Sequence, residues 1–98
     1  MKVNFIGKVK WSQETEIQLK DGGKAKAFKY LVQYSDVMEK THSIYVKSYT
    51  TDLGEKLYIK EQIVAIAGEL VENRYKDKEG NWQSKGHIVD ADEIKLLQ

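Results

Sequence analysis

Residues 63–91 read IVAIAGELVENRYKDKEGNWQSKGHIVDA. A β-branched and small apolar run, Ile63 to Leu70, continues through Val71-Glu72-Asn73-Arg74-Tyr75 into a charged tip, Lys76 to Glu79, closed by Gly80-Asn81. The chain then returns through Trp82 and Lys85 to a second apolar run, Ile88-Val89. Two β-forming runs joined by a polar, glycine-containing connection predict a long hairpin. Its outer half interleaves rings with cations: Arg74, Tyr75, Lys76, Lys78, Trp82 and Lys85. A core excludes cations, and an inert solvated turn has no use for Tyr and Trp. Together they suit a surface that stacks bases and neutralises phosphates.

The rest of the chain supplies further strands. Near the N-terminus, Val3, Phe5 and Val9 alternate with Lys2, Asn4, Lys8 and Lys10, a period of two that argues a strand with one buried face. Gly7 within it marks a bulge or sharp coil. Trp11 leads into the polar Ser12 to Thr15; Ile17 to Leu19 resumes the strand or pairs locally, and Asp21-Gly22-Gly23 is a turn. Between Ala27 and Tyr34, the set Phe28, Tyr30, Val32 and Tyr34 is expected to face the core, with Lys29 on the opposite side; Tyr34, at the strand end, is also a binding candidate. From Thr41 to Tyr49, the side carrying His42, Ile44, Val46 and Ser48 is expected to be buried. The other presents an aromatic–lysine–aromatic ladder, Tyr45, Lys47 and Tyr49. Thr50 to Lys60 breaks the alternation: Asp52 with Glu55 resembles a capping box, and Leu53 with Leu57 forms an i,i+4 pair, which predicts a short helix. Ile94-Lys95-Leu96 closes the chain as a last strand or an edge.

Strand, strand, strand, short helix, strand, strand is the order of an all-β, five-stranded OB-fold, a Greek-key barrel with a helix between its third and fourth strands. SH3-like barrels share the short strands and turns. The 98 residues make one domain, 1–98. No apolar run approaches a membrane span, and no signal peptide follows Met1-Lys2. The chain has no cysteine, which excludes disulfides, cysteine–zinc sites and thiol catalysis, and makes the cytoplasm the expected compartment. Sixteen Lys and Arg stand against fifteen Asp and Glu, so a nucleic-acid reading rests on where the cations lie and not on their number. All but Arg74 are lysine, which favours phosphate contact over bidentate base reading.

The opening KVNFIGKV and the segment VAIAGELVENRYKDKEG resemble the single-stranded DNA-binding protein family of bacteria and phages. The shared features are the Lys-Val-apolar-apolar-Gly start, Val64 to Leu70 around Gly68, the pair Arg74-Tyr75 and the turn Asp77 to Gly80. Gly22-Gly23 before a strand and the apolar end Ile94 to Leu97 also fit. The resemblance implies an OB-fold that binds single-stranded DNA and assembles as a dimer or tetramer. It implies base stacking by Tyr75, and Lys47 or Tyr49 falls where the family has another stacker near the end of the third strand. Thr41 stands where many members carry an aromatic, so one platform is missing or moved to Tyr45. His42 matches a polar residue near subunit contacts. Members often add a flexible linker and an acidic tip that recruits replication proteins; this chain reads to Leu97-Gln98 without one, so a shortened member is expected.

Blander explanations stand beside several of these residues. Tyr45, Lys47 and Tyr49 also fit ordinary cross-strand pairing. Trp82 also fits a pin packed on Tyr75, and Trp11 a cap on the barrel end. His42 and His87 lack the spacing of a zinc site, and Asp90, Asp92 and Glu93 lack the pattern of a calcium loop. With no nucleophile–base arrangement and no phosphate-cradling loop, neither enzyme activity, a metal nor a cofactor is expected. A protein-interaction module of a primosome or phage replication complex, and a carbohydrate-binding or structural barrel, are the competing readings.

Overall fold

The computed structural model describes all 98 residues. Five strands, β1 (Lys2–Gln18), β2 (Lys24–Ser35), β3 (Thr41–Thr50), β4 (Ile63–Lys76) and β5 (Trp82–Leu96), form a closed barrel in the order β1-β2-β3-β5-β4. Neighbours run antiparallel except β3 and β5, which meet in parallel over Tyr45–Lys47 and Ile88–Asp90. β1 pairs with β4 through its first half and with β2 through its second. That shared strand is what lets a five-stranded sheet roll up and close.

The inward positions are those the alternation marks. Val9, Phe28, Tyr30, Val32, Val46, Val64, Ile66 and Val89 form the core. Each large apolar side chain taken fully out of water contributes about 1.5–3 kcal/mol. Tyr30 is buried with its hydroxyl accepting the Tyr58 amide at 3.3 Å. Burial pushes its phenol up to about 12.

Three bulges control which way side chains point, one of them at Asp92 of β5, opposite Ala67–Gly68. Between Val9 and Trp11 the register against β2 slips while β2 advances a single residue, so Lys10 is extra. Trp11 consequently faces outward although Val9, two residues earlier, faces in. On β5 a second slip opposite Glu72–Arg74 falls at Lys85-Gly86, where Gly86 adopts φ 89°. Gly68 matters for a different reason. A Cβ there would stand 2.2 Å from the Asp90 carbonyl oxygen, so only glycine lets β4 and β5 approach this closely.

The expected helix after β3 is absent. Residues 51–62 form an irregular crossing over one end of the barrel. Asp52 Oδ1 accepts the Gly54 amide at 2.9 Å, and Thr50 Oγ1 accepts the Asp52 amide at 3.0 Å. These side-chain bonds give the backbone an alternative to a helical ladder, and only isolated turns form, Glu55 N–H to the Asp52 carbonyl and Gln62 N–H to the Ile59 carbonyl. Leu57 and Tyr58 pack on the core, and the Tyr58 hydroxyl donates to the Ile94 carbonyl at 3.0 Å; Leu53 is left exposed. Ile17 continues β1, and Ile94 to Leu96 continue β5 to the β4 edge, closing the barrel.

Candidate nucleic-acid interface

The cross-strand register sets outward side chains in rows around the barrel. Trp11 of β1, Leu31 of β2, Tyr45 of β3, Ile88 of β5 and Val71 of β4 are successive partners in one row. The Trp11 and Tyr45 rings meet edge to face with centroids 6.4 Å apart, a favoured aromatic geometry. The next row is Gln13, Lys29, Lys47, Asp90 and Glu69, and the one after is Thr15, Ala27 and Tyr49. Lys29 Nζ lies 4.8 Å from the centre of the Tyr45 ring. Rings and cations thus share one open sheet face.

The ion pairs explain how a nearly neutral chain carries a cationic surface. Lys2 and Lys95 pair with Asp92 and Glu93, Lys8 and Lys10 with Glu61, and Lys24 and Lys26 with Glu16 and Glu14. Lys29, Lys47, Lys76, Lys78 and Lys85 form no ion pair with a carboxylate, and neither do Lys20, Lys40, Lys56 and Lys60 elsewhere on the surface. Lys29 and Lys47 are moreover direct cross-strand neighbours. Like charges set opposite one another destabilise a sheet.

Beyond Glu72, β4 and β5 leave the barrel as a two-stranded arm. Arg74 pairs with Ser84, Tyr75 with Gln83 and Lys76 with Trp82. Lys85 Nζ sits 4.5 Å from the Tyr75 ring centre, and Lys76 Nζ 5.6 Å from that of Trp82. Arg74 is held to Glu72 at 3.3 Å. Asp77 fixes the tip: Oδ1 accepts the Glu79 and Asn81 amides, each at 2.9 Å, and Oδ2 accepts the Gln83 amide at 3.1 Å. The Asn81 amide bond, with the others, holds the Asp77 carboxyl below its ordinary value.

Of the sequence-predicted residues, Trp11, Lys29, Tyr45, Lys47 and Tyr49 come together on the outer face, and Arg74, Tyr75, Lys76, Lys78, Trp82 and Lys85 on the arm. Trp82 pairs across the arm with Lys76 and does not pack on Tyr75, which alternates to the opposite face. Trp11 lies on the wall and caps nothing. Tyr34 stands apart: it turns inward at the barrel mouth, 5.4 Å from the Phe5 ring centre and stacked on His42 at 5.5 Å. His42, expected in the interior, is exposed, and its Nε2 lies 2.7 Å from Asp36 Oδ2. That contact and the Lys40 and Met38 amides hold the Asp36 carboxyl below its usual range. Gln13, Leu31 and Val71 join the outer rows without having been singled out, and Ile88 stands in the same register but is buried by its neighbours. The period of two already placed Leu31 beside Lys29; Gln13 was hidden by the bulge at Lys10.

An all-β barrel with this strand order is an OB-fold. Solved structures similar to it include the small single-stranded DNA-binding protein from Streptomyces coelicolor, at 18% identity and TM-score 0.59, covering 98% of this chain and 93% of that one. A deletion variant of the single-stranded DNA-binding protein from Thermus aquaticus matches at 16% identity and TM-score 0.59, over 99% of this chain and 50% of that one. No protein-family model matches the sequence, and no curated protein matches it.

Proposed function

We propose that this protein binds single-stranded DNA without strong sequence preference and shields it in the cytoplasm during replication, recombination or repair. The observation that carries the reading is the pair Lys29 and Lys47, adjacent on the sheet face beside Tyr45 and Tyr49 and neither in an ion pair, although Asp90 follows Lys47 in register. A fold gains nothing from that repulsion; a phosphate backbone laid across it relieves it. Rings supply sequence-tolerant stacking, since every base has a π-face. The fold likeness to two proteins described as single-stranded DNA-binding supports the same reading. A dimer or tetramer accords with it, because Ile6, Val37 and Met38 are exposed on so small a barrel. No catalytic step is part of this function.

The test is a titration of intrinsic tryptophan fluorescence with oligo-dT at two salt concentrations, with duplex as control. Quenching by single strand, weakened by salt as counterion release requires and absent with duplex, is the expected result. Silence with both would shift the reading to a protein-interaction barrel.

A further inference from the structure

The β4–β5 arm has two faces, because side chains alternate across a two-stranded ribbon. Tyr75, Gln83 and Lys85 lie on one, and Arg74, Lys76 and Trp82 on the other. The first continues the outer wall: it lies in series with Val71, which belongs to the Trp11–Tyr45 row. The second continues the series Val64, Ile66, Gly68 and Leu70, which faces the barrel interior lower down. Above the wall that series has no core left to meet, and Trp82 is 63% exposed.

Packing does not account for Trp82. Its ring has a lysine ammonium as cross-strand neighbour, and the nearby Tyr75 points away. A lone hairpin gains little from an indole in water, whereas a ring beside Arg74 and Lys76 repeats the chemistry of the opposite face. One strand lying along the outer wall reaches Tyr75 but has the thickness of the arm between it and Trp82.

We infer that the Arg74–Lys76–Trp82 face is a second single-strand site, so that each protomer holds two nucleic-acid segments, one on either side of the arm. This rests on the proposed function and extends it from covering a strand to bringing two together. Two segments on one arm sit at high effective concentration, which favours pairing of complementary strands.

The experiment counts oligo-dT of about 6 nucleotides, near the short end of OB-fold site sizes, bound per protomer at saturation, by native mass spectrometry. The double variant Lys76→Ala/Trp82→Ala is expected to bind one oligonucleotide fewer than the parent. Its remaining sites should keep their affinity within about twofold, as separate sites do. Trp82→Phe, which keeps a ring, should restore the count. An unchanged count in the double variant, or a Trp82→Phe count as low as that of the double variant, overturns the second site while leaving the proposed function standing. A parent that binds no oligonucleotide sinks both.

Discussion

Trp11 of β1 and Tyr45 of β3 meet edge to face, their planes at 88°, across the intervening strand β2. The contact holds Tyr45 in place at one edge, while Lys29 covers its ring face. A base stacking on Tyr45 must move that ammonium aside, toward the incoming phosphate.

Tyr45→Ala is therefore expected to weaken oligo-dT binding by about 5- to 160-fold, the range that ~1–3 kcal/mol per stacked base implies. Tyr45 lies outside the core and is 42% exposed, so the melting temperature should change little. Fluorescence titration in a Trp82→Phe background, where Trp11 alone reports, measures the first effect; a thermal melt measures the second.

Replacing both Lys29 and Lys47 with Gln removes a like-charge pair from neighbouring strands. The variant should melt no lower than the parent and bind single strand more weakly. Its log K against log salt slope should shrink by about 0.7 per lysine lost from phosphate contact. A variant that binds as tightly as the parent at every salt concentration would mean these lysines never touch the strand.

Gly68→Ala should be damaging although the position lies in a regular strand. The new methyl would meet backbone, not a flexible side chain, and overpacking of this kind costs about 1–3 kcal/mol. Chemical denaturation should show a lower midpoint, with the arm residues unaffected in sequence and chemistry.

The Tyr30 phenol, ordinarily near 10.0, is raised to about 12 by burial. The folded state thus keeps the proton while the unfolded chain gives it up. The resulting stability is fully present below pH 10 and is lost as pH rises through about 12. Tyr30→Phe should flatten that alkaline decline. It should also lower stability at neutral pH by ~1 kcal/mol, because the Tyr58 amide loses its acceptor. Melting curves from pH 8 upward separate the two effects.

Strands were legible where one face is uniformly apolar. Phe28, Tyr30, Val32 and Val46 announce their own orientation, and the hairpin was plain from its tip. Legibility failed where a local bond or an extra residue overrode the pattern. Asp52 and Glu55 carry a helix-start signature, yet Asp52 spends its carboxylate on Gly54 and its amide on Thr50. Lys10 inverts everything after it on β1, an inversion visible only in the pairing with β2. Tyr34 and His42 obey the alternation but stand where the barrel is running out, so facing inward there means facing the mouth. The arm is the instructive case: Arg74, Tyr75 and Lys76 are consecutive, and in a strand consecutive residues cannot share a face.

The barrel is sewn shut by a parallel seam only three residue pairs long, from Tyr45–Ile88 to Lys47–Asp90. It joins the much longer β2–β3 and β4–β5 antiparallel ladders, so under load or thermal agitation it is where the wall would part first. Tyr45 and Lys47 lie on its lip. A strand that grips both sides therefore works as a suture as well as a cargo, and the amides of those three pairs should exchange more slowly once it is in place. Breathing of the barrel and occupancy of its surface become one measurable quantity.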